Sequence, residues 1–215
     1  MSPARRAKPA PAKKTRAKAA AKKKPAPTRK PAPSRKPSPA AIPATAPYSE
    51  GKWAEWFARA PGERRYWLVK SEPATFSFDD LLRAPNRTTF WDGVRNFAAR
   101  NFLRDGMQLG DRVFFYHSMA EPQAIVGICE VVCEGYPDHT ALDRKHPHYD
   151  PESNPGAPQW FMVDVRAVAQ FTHPVTLPAI KARKELADMA LLRIGRLSVT
   201  PVRAAEWEII CAMAS

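Results

Sequence analysis

The chain has 215 residues, with 34 Lys and Arg against 21 Asp and Glu, a formal net charge of +13 and an isoelectric point near 10.0. Of the basic side chains, 14 lie within residues 1–47, which hold no acid, so the rest carries 20 basic against 21 acidic groups, a net of −1. This excludes a uniformly basic globule in favour of one ordinary-sized domain with a cationic appendage, and no run of about 18 apolar residues is present to form a helical membrane span.

Residues 1–47 consist largely of Ala, Pro, Lys and Arg, with no aromatic ring and Ile42 as the one large aliphatic side chain. Such a segment cannot bury enough apolar surface to offset ordering entropy, so a disordered tail is expected. It lacks the apolar stretch of a signal peptide, and its prolines oppose the amphipathic helix of a mitochondrial presequence. Its Lys-Pro-Ala and Arg-Lys-Pro units resemble the tails of H1-like histones. Extended cations of this kind track a phosphate backbone with strongly salt-dependent affinity, a better account of a segment without acids than a solubilising linker.

Residues 48–64 form an amphipathic hinge segment. Trp53, Trp56, Phe57 and Ala60 fall at helical spacing and Pro61-Gly62 stops the run, which predicts one short helix docked on the domain, with a partner-binding helix as the alternative. The domain itself is expected over residues 65–215. Tyr66 to Lys70 reads as its first strand, ended by Ser71-Glu72-Pro73. Ser77 is a natural N-cap for a short helix, with Asp80 completing the capping pattern.

Residues 91–106 hold the most informative stretch. Gly93 permits a tight bend, Asp92 is placed to cap a helix, and Val94, Phe97, Ala98 and Phe102 form an apolar stripe ending at Gly106. Arg95, Asn96 and Arg100 fall off that stripe. Free amides at such a helix mouth suit a phosphate or a polar base edge. The alternative is a core Trp91 with solvated arginines.

Strands are then expected over Arg112 to His117, Gln123 to Glu134 and Trp160 to Phe171. In the second of these, Ile125, Gly127, Cys129 and Val131 share one face. Gly127 suggests a close approach on a curled sheet. In the third, Phe161, Val163 and Val165 alternate with Met162, Asp164 and Arg166. Residues 178–189 read as helix in two pieces, Leu197 to Val199 as a last strand, and Arg203 to Ala212 as a closing helix. The class is therefore α+β, a small curled sheet or β-barrel flanked by short helices.

Chemistry-bearing clusters are few. His139, Asp143, His146, His148 and Asp150 crowd one loop, but His-Pro-His matches no finger spacing, so no metal is expected. Cys129, Cys133 and Cys211 form no disulfide framework and fit a reducing compartment. No nucleophile elbow, P-loop or dinucleotide fingerprint occurs, so no catalytic residue and no cofactor are expected. Lys70 and Glu72, two apart, are either an acid–base pair or a salt bridge at the sheet edge. Trp67, Trp91, Tyr116 and Trp160 would make a slot for a flat ring if they converged, with core packing the default for Trp160.

Five motifs in collinear order now bear on the family: Trp67-Leu68-Val69-Lys70-Ser71-Glu72-Pro73, Trp91 to Asn96 with Ala99-Arg100-Asn101, Gly110-Asp111 with Phe115-Tyr116-His117-Ser118, Pro137-Asp138-His139-Thr140, and Arg196 to Val202. Together they resemble the EVE domain family. The resemblance implies a PUA-like small β-barrel, similar to the YTH domains, and a reader of modified nucleobases, above all modified cytosine in DNA. It implies a base pocket built from Trp67, Lys70, Ser71, Trp91, Gly93, Asn96, Tyr116, His117, Ser118 and Ser198. Arg95, Arg100 and Arg196 would hold phosphates. Met119 stands where the family often has Asn.

A pocket of this kind must take a flipped base or a single strand. The base would stack on Trp67 or Trp91, and Asn96, Ser71 or Ser198 would read its edge. Trp91→Ala is then expected to leave a folded domain, and Trp160→Ala to destabilise it. The partners are nucleic acid, DNA ahead of RNA, and no membrane. The setting is cytoplasmic, at the nucleoid in a bacterium, or nuclear in a eukaryote. Two alternatives remain open: a reader of modified RNA, and an amidohydrolase like the ASCH relatives of the PUA fold, with Lys70 and Glu72 as its acid–base groups and no matching threonine.

Overall fold

The computed structural model describes residue 51 and residues 53–215. The basic tail expected over residues 1–47 lies outside the described residues. The remainder is built on a six-stranded mixed sheet in the order β2-β5-β4-β3-β1-β6. The strands are β1 (Tyr66–Ser71), β2 (Thr88–Phe90), β3 (Arg112–His117), β4 (Ala124–Pro137), β5 (Phe161–Thr176) and β6 (Val199–Val202). Five short α-helices accompany them: α1 (Phe78–Arg83), α2 (Phe97–Asn101), α3 (Leu177–Ala182), α4 (Ala190–Arg193) and α5 (Ala204–Met213). This is the small PUA-like architecture that the sequence predicts. No described helix is long and apolar enough to cross a membrane.

Strand alternation divides the interior into two clusters. Trp67 and Val69 of β1, Val113 and Phe115 of β3, and Cys129 and Val131 of β4 pack with α1, α2 and Trp91. Leu68, Phe114 and Tyr116 project from the other face and pack with Ile180, Trp207 and Ile210. Trp207 stacks on Phe114, their centroids 3.8 Å apart, so α5 seals that face. β4 and β5 are long and their pairing carries several register shifts, each an opportunity to bend the sheet. Gly127 sits on one such stretch, where a Cβ would meet the Phe78 ring at 2.5 Å and the Ala169 carbonyl oxygen at 2.7 Å. The close approach expected there is present.

Several local expectations change. β2 is an additional three-residue strand, paired antiparallel with β5. The last strand is Val199–Val202, so Leu197 and Ser198 precede it and Thr200-Pro201-Val202 extend it. Met162 is fully buried although it alternates with buried Val163, because β5 has protein on both faces there.

Among the described residues of the hinge segment, the helical part is a 3-10 turn, Ala54–Trp56, instead of a longer helix. Its rings account for that: Phe57 stacks on Phe102 at 5.7 Å, and Trp53 meets the same ring edge-on at 5.2 Å. Tertiary packing, not helix propensity, sets its course. Further along, Arg59 forks onto Asp111, with both Nη···Oδ distances 2.7 Å, and also donates to the Gly106 carbonyl at 2.7 Å. Asp111 additionally accepts from Trp67 Nε1 at 2.8 Å and from the backbone amides of Arg65 and Gln108. Losing one member of a buried pair costs about 3–5 kcal/mol. Because Asp111 keeps three other donors, Arg59→Ala is expected at the lower end of that range. Urea unfolding measures it, and an unchanged midpoint would show that the segment contributes no stability.

Candidate nucleic-acid interface

The family-motif residues gather at one end of three adjacent strands. β1 and β3 run parallel in a register that pairs Lys70 with Tyr116 and Ser71 with His117. β6 lies on the other side of β1, and the Lys70 amide donates to the Ser198 carbonyl at 2.9 Å. The chain end of β3 folds over this edge, with the Ser118 amide donating to the Ser71 carbonyl at 2.9 Å.

Alternation then separates these residues by face. Ser71 and His117 share the side of Val69 and Phe115. There Phe115 meets Trp91 edge-on at 5.4 Å and His117 edge-on at 5.6 Å. Phe76 and Phe78 complete the ring cluster around Phe115. Phe76 and His117 are only half-buried, so the aromatic group opens outward at Ser71, Phe76 and His117. Sequence reading missed Phe76 and Phe115; Phe76 sits three residues past the proline that ends β1, and nothing local marks it.

His117 has a defined chemical state. Its Nε2 accepts from the Phe78 amide at 3.1 Å. Burial lowers its pKa below the ordinary imidazole value, against the opposing pull of Asp79 and Asp80. A neutral ring that accepts at Nε2 carries its proton on Nδ1, and so offers one N–H donor. Ser71 Oγ donates to the Phe76 carbonyl at 2.6 Å, which leaves that hydroxyl oxygen able to accept.

Other expected pocket members lie elsewhere. Trp67 is wholly buried, with its indole N–H committed to Asp111, so no base can stack on it. Tyr116 is 2% exposed on the opposite face; its hydroxyl bonds Gln123 and burial raises its pKa to about 12. Lys70 Nζ donates to the Gly195 carbonyl at 2.9 Å, and burial lowers its pKa. Its contact is therefore a backbone oxygen rather than Glu72. Ser198 is half-buried beside Lys70. Met119 is exposed at φ 54°, a region that Asn enters more readily than Met.

The mouth of α2 is closed rather than open. The N-cap is Asn96, not Asp92: its Oδ1 accepts from the Ala98 and Ala99 amides. That carbonyl is thereby spent, so Asn96 does not read a base edge with it. Phe97 projects outward and stacks on Trp160 at 5.2 Å, with Arg95 over the Trp160 ring. The helix continues as a π-turn, Phe102–Gly106, instead of ending in a glycine cap.

Asp138 locks the preceding bend. Its Oδ2 accepts from Arg95 Nη1 at 2.7 Å and from the Gly93 amide at 3.2 Å, while its Oδ1 accepts from the Thr140 amide and hydroxyl. Burial would raise its pKa, but the bonds from Thr140 and Arg95 outweigh that and hold it below the ordinary carboxylate value. Arg95 also donates to the His148 carbonyl, and Arg100 to the Gln159 carbonyl and Asn101. Both arginines are thus engaged with the protein, whereas Arg196 is exposed. Gly93 has φ 76°, and a Cβ there would strike the His148 ring at 2.3 Å, so the bend admits glycine alone.

Comparison with known proteins agrees with this architecture. The family model for the EVE domain matches residues 65–213. Thymocyte nuclear protein 1 of Gallus gallus is 42% identical over 165 residues, covering 69% of this chain and 68% of that protein. Its Homo sapiens namesake is 39% identical over 165 residues, covering 69% and 73%. Among solved structures, human THYN1 in complex with 5-methylcytosine-containing DNA superposes with a TM-score of 0.68 at 39% identity, over 70% of this chain and 98% of that one. A hypothetical protein from Leishmania major gives 0.68 at 46% identity, over 71% and 95%.

Proposed function

The chain belongs to the EVE domain family, and on that footing we propose that it is a non-enzymatic nucleic-acid-binding protein that reads a modified base in DNA, with 5-methylcytosine the leading ligand. The observation that carries this reading is the half-buried opening at Ser71, Phe76 and His117, backed by the edge-to-face rings of Trp91 and Phe115. It offers a flat ring an aromatic wall, one N–H donor and one hydroxyl acceptor. The human relative solved with 5-methylcytosine-containing DNA supports the same ligand class. Lys70, Gly93, Tyr116, Ser118 and Ser198 act by holding this edge in place. Phosphate contact falls to Arg196 and to the basic tail, because Arg95 and Arg100 are already bonded within the domain.

The site holds a base only when that base leaves the duplex. A methyl group adds about 0.8 kcal/mol of burial, so selectivity over cytosine should be about fourfold. The relatives named as nuclear proteins fit an operating place at the genome, the nucleus in a eukaryote or the nucleoid in a bacterium. One panel tests the whole reading: the full chain titrated against oligonucleotides bearing single 5-methylcytosines, their unmodified counterparts and the matching RNAs, with mass spectrometry of each ligand afterwards. Preference for the methylated DNA is expected. Equal binding to plain cytosine would sink the proposal, tighter RNA binding would move the chain to the modified-RNA reading, and product formation would make it an enzyme.

A further inference from the structure

The bend that carries Trp91 is also met by two histidines from a distant loop. Asp92 has a side chain 1% exposed, yet its Oδ2 lies 3.3 Å from His148 Nδ1 and 3.8 Å from His146 Nε2. One ligand atom from each of the three lies within 4.8 Å of the others. Pro147 restricts the backbone between the histidines, and their rings stand 5.1 Å apart.

We infer that Asp92, His146 and His148 form a three-ligand site for a zinc-class divalent cation. Zinc holds imidazole nitrogen and carboxylate oxygen at about 2.0–2.1 Å in a tetrahedron, which separates neighbouring ligand atoms by about 3.4 Å. The Asp92–His148 separation already matches; His146 must close on Asp92 by a few tenths of an ångström and draw in toward the His148 nitrogen, which lies within 4.8 Å of it. Two imidazoles and one carboxylate suit zinc rather than calcium or magnesium, which prefer all-oxygen shells. Three protein ligands leave the fourth position to water. His146 Nδ1 now accepts from the His148 amide at 3.2 Å. Coordination through Nε2 places the proton on Nδ1 and releases that long bond, a cost that keeps the affinity below that of closed four-ligand sites. A bound cation would staple residues 146–148 to the Asp92–Gly93 bend and stiffen the seat of Trp91. The other loop residues do not join: Asp150 accepts from Trp160 Nε1, and His139 packs on Phe90.

The test needs no nucleic acid, so its failure is separate from any failure of base reading. The full chain is titrated with Zn²⁺ by calorimetry, with Co²⁺ by absorption, and with Zn²⁺ while imidazole signals are followed by NMR. The chain has five histidines, none of them before residue 117. One equivalent is expected to bind, to raise the melting temperature, and to shift the rings of His146 and His148 but not those of His139 and His173. Asp92→Asn, His146→Ala and His148→Ala should each weaken binding by about tenfold or more. His173→Ala should leave it unchanged. The site is refuted if no saturable equivalent binds, if Co²⁺ shows a thiolate charge-transfer band from the cysteines, or if the shifted rings belong to other histidines. The NMR reading is made on the unsubstituted chain and stands even where a variant fails to fold.

Discussion

Trp91→Ala is expected to lower stability by about 3–5 kcal/mol and to abolish discrimination of the modified base in the same step. Trp91 is 7% exposed within the main cluster, so its truncation opens a cavity against Phe115. This revises the sequence-based expectation that the alanine variant would remain well folded. Trp160 is equally buried at 7%, so the two tryptophans cannot be told apart by stability. Function separates them. Trp160 stacks on Phe97 and bonds Asp150, whereas Trp91 meets Phe115, the ring that His117 packs on. Trp91→Leu and Trp160→Leu retain apolar bulk and are the informative pair. Both should melt somewhat below wild type. Only Trp91→Leu should weaken capture of the flipped base, by a factor set by stacking worth about 1–3 kcal/mol, or about 5- to 150-fold, and lose with it the roughly fourfold preference for the methylated base. A folded Trp91→Leu domain that still prefers the methylated base would remove Trp91 from the site.

The two tryptophans also show what can be read from sequence here. Strand periodicity places Trp67, Val69 and Ser71 on one face and Lys70 on the other, and the structure agrees. Periodicity does not say where along a face the core stops. Trp67 lies two turns of alternation below the edge and is fully enclosed, while Ser71 sits at the rim. The capping box Ser77–Asp80 was legible because both partners are local, and its bonds hold Asp80 at a pKa of about 2 despite the opposing effect of burial. The α2 mouth was not legible, because its residues are bound from afar. Asp138 reaches Arg95 and Gly93 across more than 40 positions, and His148 reaches Asp92 across 56. A polar residue off an apolar stripe reads as free until the fold supplies its partner. The same limit hid the Asp92–His146–His148 group, whose carboxylate comes from outside the histidine loop.

Removing residues 1–47 should collapse the general DNA affinity of the chain while sparing its base preference. The described domain supplies little free cationic surface at its reading edge: Arg95 is paired with Asp138, and Arg100 bonds Gln159 and Asn101. Outside the tail, acids outnumber bases by one. Long-range attraction to phosphate therefore rests on the 14 basic residues before position 48. Each neutralised phosphate contributes about −0.9 to the slope of log affinity against log salt, so six to ten tail contacts would weaken binding about 10³- to 10⁵-fold between 50 and 200 mM salt. The truncated chain should keep a slope of only about −0.9, the share of the contact left at Arg196. Its ratio of affinities for methylated and plain DNA should match that of the full chain, since phosphate contacts position a protein without specifying a base. An unchanged salt slope after truncation would place the phosphate contacts on the domain, and would return Arg95 and Arg100 to the phosphate-binding role first expected of them.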